Sequence, residues 1–269
     1  MNESKQAVHD FWNSESCGES LYLDGYSRDD YLRQSNIRYD LEPYILEFAG
    51  FDQLKKKKVL EIGTGLGADH QKFSETGAIL YGIDLTRRAV EHTQRRFRVF
   101  GLNTNLQVAD AEDLAFENEC FDLVYSWGVL HHTPNTERAV AEASRVLKPG
   151  GTAKIMIYHK YSFVGFMLWI RYGLLRLKPM TSLNRIYSQY LESPGTKAYS
   201  IAEARELFVG KFTNVDIKVV LTHGDLLRSA VGQRHRGLFL QVARLIWPRW
   251  LIRTFFKKYG LFMLITATK

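Results

Sequence analysis

Between residues 57 and 158 the sequence alternates between short apolar runs and amphipathic runs, and this alternation restricts the fold more than any other feature. The apolar runs KVLEIG, AILYGID, NLQVAD, FDLVYSW and TAKIMIYH have the length of buried strands. The run TRRAVEHTQRRFRVFG has helical spacing, with Thr86 as its expected N-cap and Gly101 after its end. The run NTERAVAEASRVLKPGG also reads as a helix, which Pro149 and the glycines after it are expected to end. Strands that alternate with helices predict an α/β fold, in which helices cover both faces of a parallel sheet.

After residue 158 the alternation stops. The segments NVDIKVVLT and LFMLITATK read as two further strands, and the absence of a helical pattern between them predicts an antiparallel end to the sheet. Ser200 followed by Glu203 has the spacing of a capping box. We expect residues 1–50 to form an N-terminal helical lid and residues 51–269 a single domain, with insertions at 159–199 and 222–260.

Composition and charge restrict location and partners. The chain has 269 residues, of which 45% are hydrophobic, enough for a sizeable core. Two cysteines, no apolar run of bilayer length and no signal peptide at the N-terminus favour the cytoplasm. Residues 1–158 carry a net charge of −6 and residues 159–269 one of +13, so the C-terminal part is expected to meet an anionic small molecule, a membrane surface or a nucleic acid.

The segment VLEIGTGLGADH places Gly63, Gly65 and Gly67 directly after the first strand. Glycine lets a backbone approach a ligand closely, and the following helix offers free N–H groups. The loop also satisfies the dinucleotide pattern G-x-G-x-x-G/A through Ala68. A nicotinamide or flavin site, another nucleoside site and a simple tight turn therefore all fit this loop.

Polar residues at the ends of the next three strands favour a nucleoside ligand. Asp84 ends the second strand, where a carboxylate can bind both ribose hydroxyls. Asp110, after the third strand, can accept a hydrogen bond from an adenine amino group. Ser126, in the fourth strand, is small enough for a ligand to pass. A helix-terminal acid at Asp84 and an exposed turn acid at Asp110 are the structural alternatives.

Five segments in this order resemble class I S-adenosylmethionine-dependent methyltransferases, of the type that includes ubiquinone and menaquinone biosynthesis methyltransferases. They are VLEIGTGLG, YGIDLT, ADAEDLAF, FDLVYSWGVLHH and RVLKPGG, and they cover about residues 57–158. The resemblance implies a Rossmann-like sheet of seven strands whose last strand is reversed. It also implies S-adenosylmethionine as cofactor, S-adenosylhomocysteine as product and no metal.

The resemblance also assigns cofactor contacts. Gly63, Gly65 and Gly67 would lie against the methionine part, where a side chain would collide with the cofactor. Asp84 would hold the ribose, and Asp110 with Ala111 the adenine. Glu61 would bind the amino-acid end. Three further residues complete the expected cofactor site: Leu85, Glu112 and Ser126.

Catalytic candidates lie at strand ends that should face the cofactor. A base is needed only when the acceptor atom carries a proton of high pKa, and histidine suits that role. The candidates are His131, His132, Tyr158 and His159. A helix-capping or supporting role is the alternative for His131 and His132, because the HH pair also occurs in similar proteins with different acceptors.

Four residues are expected to bind the acceptor, and they are Tyr22, Tyr26, His223 and Arg234. Tyr22 and Tyr26 belong to the expected lid, and simple packing of an N-terminal helix is their alternative. Cys17 is expected to be a small buried residue. The aromatic and basic segments after residue 158 fit an apolar acceptor with an anionic group, a membrane-surface helix or a lid packed on the core.

The favoured function is methyl transfer to a small-molecule acceptor, with O-methylation ahead of N- or C-methylation. A lipid-like acceptor at the membrane surface and RNA are alternative acceptors, although nucleic acid is not an expected partner because an Asn/Asp-Pro-Pro-aromatic motif is absent after strand four. A dinucleotide-dependent oxidoreductase and a cofactor-binding subunit without catalysis are the alternatives from other classes. The sequence does not predict the oligomeric state.

Overall fold

A seven-stranded mixed sheet forms the centre of the protein, with strand order β3-β2-β1-β4-β5-β7-β6. The structure is a computed structural model that describes residues 2–228 and 247–269. Strands β1 to β5 pair in parallel, and β7 runs antiparallel to both β5 and β6. This confirms the predicted fold. The strands are β1 Lys58–Ile62, β2 Ile79–Asp84, β3 Asn105–Val108, β4 Phe121–Trp127, β5 Leu147–Tyr158, β6 Asn214–Val220 and β7 Phe262–Thr268.

Helices surround this sheet and also precede it. The described helices are α1 Glu3–Ser14, α2 Glu19–Tyr22, α3 Arg28–Leu41, α4 Tyr44–Ala49, α5 Ala68–Glu75, α6 Arg87–Phe100, α7 Thr136–Val146, α8 Phe163–Tyr172, α9 Leu183–Tyr190, α10 Ile201–Phe208 and α11 Arg249–Phe255. Within residues 2–228 and 247–269, none of these helices has the length and apolar character needed to cross a bilayer.

Local capping explains where α6 and α10 begin. The Thr86 side chain accepts a hydrogen bond from the Ala89 N–H, and Gly101 follows α6 with φ +66°. Ser200 and Glu203 form a reciprocal capping box at α10. These three predictions are confirmed, because cap chemistry depends on residues that are neighbours in sequence.

The boundary between α7 and β5 differs from the expectation that the helix continues to Pro149. Helix α7 ends at Val146, and the fully buried Leu147 already pairs with Phe121 of β4. The segment that contains Pro149 therefore belongs to β5, across an irregular register between Phe121 and Leu123. Burial of Leu147 against the sheet decides the boundary before the proline is reached.

The N-terminal helices are anchored to the sheet domain through a buried cation, Arg96 of α6. Its guanidinium donates hydrogen bonds to the side chains of Gln34 (2.7 Å) and Gln71 (2.6 Å). It also donates to the carbonyls of Tyr31 (3.1 Å) and Leu66 (3.2 Å). Arg96 thus joins α3, α5 and the loop after β1, and it positions α3 beside that loop.

Candidate active site

A cavity of about 350 Å³ lies at the carboxyl ends of β1 to β5. In an open parallel sheet this edge is where ligands bind. One wall consists of the loop after β1 and the ends of β2, β3 and β4. The opposite wall comes from α1, α2, α3 and the segment after α9. Its contributors include Lys5, Trp12, Tyr22, Arg38, Glu42 and Glu192.

The three loop glycines all adopt left-handed backbone conformations, with φ of +86° at Gly63, +51° at Gly65 and +77° at Gly67. A Cβ at Gly63 would lie 2.1 Å from Val129 Cγ2, and one at Gly67 would lie 3.0 Å from Thr93 Oγ1. A Cβ at Gly65 would meet no described atom within 4 Å. Neighbouring side chains already exclude a Cβ at Gly63 and Gly67, whereas Gly65 faces open space. All three glycines line the cavity, and their contact with a cofactor stays a prediction.

Asp84 and Glu61 both line the cavity. Asp84 accepts hydrogen bonds from the N–H of Gly65 (3.2 Å) and from the N–H and hydroxyl of Thr86 (both 2.9 Å). Burial raises the pKa of Asp84, although these bonds oppose the shift. Burial also raises the pKa of Glu61, whose carboxylate lies 2.8 Å from His70 Nδ1. A bound cation would favour the ionised form of both carboxyl groups.

The acids after β3 are paired with a lysine from the first helix. Lys5 Nζ forms an ion pair with Asp110 and donates to Glu112 at 2.7 Å. Glu112 also accepts from the Asn135 N–H at 2.6 Å. Asp110 and Ala111 line the cavity, as does Leu85. Helix α1 is thus held directly over the position that the sequence predicts for an adenine.

A histidine with three polar neighbours lines the other end of the cavity. His132 Nδ1 lies 2.8 Å from Ser193 Oγ and 3.1 Å from Thr196 Oγ1. Its Nε2 lies 3.4 Å from Glu192 Oε2. The same carboxylate accepts a hydrogen bond from the Tyr158 hydroxyl at 2.7 Å. Burial, with the charge of Glu192, raises the pKa of Tyr158 well above its usual range, so Tyr158 stays protonated and donates.

Other candidate residues lie outside the cavity wall as far as the structure describes it. His131 is fully buried behind His132, and burial lowers its pKa. Ser126 donates its hydroxyl to the Ile62 carbonyl at 3.2 Å. His159 Nδ1 lies 3.1 Å from the Gly260 carbonyl. The Glu112 backbone N–H donates to Asp110 Oδ1 at 2.9 Å. Ligand atoms of His131, His132 and Glu192 lie within 4.8 Å of one another, an arrangement that could hold a metal ion.

The expected acceptor residues divide into three groups. Tyr22 and His223 line the cavity. Tyr26 is half exposed and stacks under the Arg95 guanidinium at 4.0 Å. Arg234 lies outside the described residues. Cys17, expected to be buried, is exposed where it lines the cavity. Desolvation by the protein around the cavity, together with the negative charges of Glu192 and Glu42, raises the pKa of its thiol to about 12.

Residues 60–155 match the family described as a methyltransferase domain. Over this segment, about a third of its length, the chain is similar to methyltransferases. A demethylmenaquinone methyltransferase of Tropheryma whipplei is 30% identical over 150 residues, which are 55% of this chain and 62% of that protein. A ubiquinone biosynthesis O-methyltransferase of Coxiella burnetii is 27% identical over 144 residues, 54% of this chain and 55% of that protein. The chain thus spans between half and two thirds of the length of these two curated relatives.

Solved structures agree on the fold. Geranyl diphosphate C-methyltransferase from Streptomyces coelicolor superposes with a TM-score of 0.64 at 14% identity, over 99% of this chain and 98% of that one. The resemblance predicted from the five sequence segments is confirmed. The matched segment 60–155 contributes Gly65, Asp84 and Asp110 to the cavity wall.

Several cavity residues were missed by sequence reasoning, and they lie outside the matched segment 60–155. Arg38 of α3 makes a two-bond ion pair with Asp69, at 2.9 and 2.6 Å. Burial raises the pKa of the neighbouring Glu42 to about 7, against the opposing effect of Arg38. Glu192 was also missed. No short motif marks these residues, since only the folded chain brings them to the matched segment 60–155.

Proposed function

We propose that the protein transfers a methyl group from S-adenosylmethionine to a small acceptor molecule. The observation that carries this proposal is the match of residues 60–155 to a methyltransferase domain together with the cavity that this domain forms. The relatives named for menaquinone and ubiquinone biosynthesis support a quinone-related or other cyclic acceptor. O-methylation is the favoured reaction, with N- and C-methylation as alternatives.

The cavity residues fit S-adenosylmethionine chemically. The open space at Gly65 admits a ligand to the backbone, and Asp84 with Asp110 offers carboxylates for ribose hydroxyls and an adenine amino group. Glu61 would meet the positively charged amino group. When bound, the cofactor supplies a methyl carbon on a positively charged sulfur. We expect the site to need no metal, although His131, His132 and Glu192 are grouped closely enough to make a metal assay worthwhile.

We assign removal of the acceptor proton to His132. With the Nδ1 proton donated to Ser193 Oγ, the Nε2 lone pair faces Glu192. Nε2 itself is buried, so an acceptor hydroxyl reaches it when the Glu192 side chain moves aside. An acceptor hydroxyl next to Nε2 would lose its proton to His132 as its oxygen attacks the methyl carbon. Glu192 would stabilise the resulting imidazolium, and the Tyr158 hydroxyl holds Glu192 in place. Helix α1, with Trp12 packed edge-on against His132 at 5.3 Å, would exclude water.

The charges in the cavity refine the expected acceptor. Its lysine and arginine side chains within the described residues, Lys5 and Arg38, are both paired with carboxylates. Glu42, beside Arg38, and Glu192 add two further carboxyl groups to the cavity. We therefore propose an uncharged or positively charged acceptor, in place of the anionic metabolite that the composition suggested.

The cofactor is tested by calorimetric titration of S-adenosylhomocysteine into the protein, with NADH in a parallel cell. We expect micromolar binding of S-adenosylhomocysteine and no heat of binding from NADH. Binding of NADH alone would support the oxidoreductase alternative and contradict the cofactor assignment. Metal analysis of the purified protein in the same preparation checks the expectation that no metal is bound.

The acceptor is tested by measuring S-adenosylhomocysteine release with phenols, amines and carboxylates as acceptors. We expect turnover with a phenol, lost in His132→Asn and reduced in Glu192→Gln. Glu192→Gln should lower kcat more than it raises KM, because the carboxylate no longer stabilises the imidazolium that forms as the proton is transferred. Unchanged kcat in Glu192→Gln, or turnover with carboxylates alone, would contradict these roles.

A second candidate is a lipid-like acceptor reached at a membrane surface. Exposed apolar side chains in segments 161–180 and 247–259 favour it. We place the protein in the cytoplasm, with peripheral membrane contact through its basic C-terminal part, and we do not expect nucleic acid as a partner. Activity with detergent-dispersed acceptors but not with soluble phenols would favour this candidate over the first.

A further inference from the structure

Two segments, residues 161–180 and 247–259, form an exposed surface that we call the aromatic–basic face. Exposed apolar side chains are unusually frequent here: Leu177 is 90% exposed, Met180 95% and Trp250 72%. The same surface also exposes Tyr161, Phe166, Leu174, Leu175, Leu251, Phe255, Phe256 and Tyr259. Exposed apolar patches of this kind mark binding surfaces for proteins or membranes.

The two segments contact each other at the start of helix α8. The Phe163 ring at the start of α8 contacts the rings of Trp247 at 6.0 Å and Phe256 at 6.2 Å. One turn later the Phe166 ring stacks on Trp169 at 6.3 Å. The Trp169 indole N–H donates to the Pro179 carbonyl at 3.2 Å, which holds the loop after α8 against the helix.

The charge of this face has a single sign. Segments 161–180 and 247–259 contain seven arginines and lysines and no aspartate or glutamate. Exposed cations among them are Arg176, Lys178, Arg253, Lys257 and Lys258. Long cationic side chains beside exposed Leu, Met and Trp are the pattern of segments that lie in the headgroup region of anionic membranes.

The helices of the face could lie on a bilayer but could not cross it. Helix α8 has ten residues and α11 has seven, far fewer than the roughly 20 needed to span the hydrocarbon core. A second copy of the chain is a poor occupant, because pairing this face with itself would bring fourteen like charges together. Nucleic acid would pair with the cations but would leave Leu177 and Met180 uncovered.

We propose that the aromatic–basic face docks on the surface of an anionic phospholipid bilayer. Leu177, Met180 and Trp250 enter the headgroup region, and the surrounding cations meet the lipid phosphates. Helix α8 packs on α9, which is followed by the cavity residues Leu191 and Glu192, so docking brings the cavity wall close to the membrane. Docking does not depend on the proposed methyl transfer.

The test is co-sedimentation of the full chain with two kinds of vesicle, one of phosphatidylcholine alone and one of equal parts phosphatidylcholine and phosphatidylglycerol. We expect binding to the anionic vesicles only, and weaker binding as salt is added. Lys178→Gln, Arg253→Gln and Lys257→Gln combined should weaken it by more than about ten-fold. A matched control replaces Lys55, Lys56 and Lys57 by glutamine and should bind as the wild type does.

The apolar contribution is tested in the same way. Leu177→Ser, Met180→Ser and Trp250→Ser combined should also weaken binding by more than about ten-fold. Its matched control replaces three exposed apolar residues elsewhere by serine, and it should bind as the wild type does. These residues are Leu32, Ile79 and Val108. Far-UV circular dichroism and the melting temperature of every variant should match those of the wild type, which shows that the variants fold without relying on the proposed function.

Three results would overturn the proposal. One is equal sedimentation with neutral and anionic vesicles. Another is anionic binding that the control variants lose as much as the face variants do. The third is concentration-dependent dimerisation in light scattering that the Leu177, Met180 and Trp250 variants abolish, together with no vesicle binding, which would assign the face to a second copy of the chain.

Discussion

At the scale of single residues, a comparison of Gly65 with Gly101 separates the backbone requirement for glycine from contact with a ligand. It has φ +51° and open space around the Cβ position, and Gly101 at the end of α6 has φ +66° and the same open space. Alanine at either position should cost about 1 kcal/mol in the free energy of unfolding, because both need a left-handed backbone. Only Gly65→Ala should also abolish S-adenosylhomocysteine binding, measured by calorimetry. Equal binding by both variants would show that the loop does not contact the ligand.

Glu42 gives a residue-scale prediction of pH dependence. Its pKa is about 7 in the folded protein, against an ordinary value of 4.5, because burial favours the neutral acid. The folded state therefore holds an extra proton between these values, and this contribution to stability is lost as pH rises through 7. Glu42→Gln should be more stable than the wild type at pH 8 by about 1–3 kcal/mol, and the two should converge near pH 4.

Chemical denaturation of the ligand-free protein across this pH range measures the difference. Glu47→Gln, an exposed change five residues along the chain, serves as the control and should follow the wild type at every pH. A difference in the free energy of unfolding between Glu42→Gln and the wild type that does not change with pH would contradict the raised pKa of Glu42.

At the scale of the element, α1 is fixed over the cavity by a lysine. Lys5 pairs with Asp110 and Glu112 in a largely buried position. Lys5→Met should increase hydrogen–deuterium exchange of residues 3–14 by about five-fold, since loss of the partly buried ion pairs weakens the docking of α1 by about 1 kcal/mol. Lys55→Met, at an exposed position, is the control. Unchanged exchange in α1 would show that packing of Trp12 and Val8 alone holds this helix.

The elements that sequence predicted well are those whose signals are local. The alternation from residue 57, the Thr86 cap and the capping box at Ser200 all depend on neighbouring residues. The start of β5 was misplaced because burial of Leu147 against Phe121 depends on the whole sheet. Arg38 and Glu192 were not predicted as cavity residues for the same reason, since α3 and the segment after α9 reach the cavity only in the folded chain.

At the scale of the whole molecule, the expected division between a lid at residues 1–50 and a domain at 51–269 stays a prediction, and Arg96 offers its test. This buried guanidinium bonds to α3 on one side and to α5 and the loop after β1 on the other. Arg96→Met would leave several buried acceptors unpaired and should lower the free energy of unfolding by about 2–4 kcal/mol. Because the N-terminal helices and the sheet share this residue, calorimetric unfolding should remain a single transition at a lower temperature. Arg98→Met, two residues along α6 and exposed, should leave the transition where it is. A separate low-temperature transition in Arg96→Met, with the main one unmoved, would instead show that residues 1–50 unfold as an independent lid.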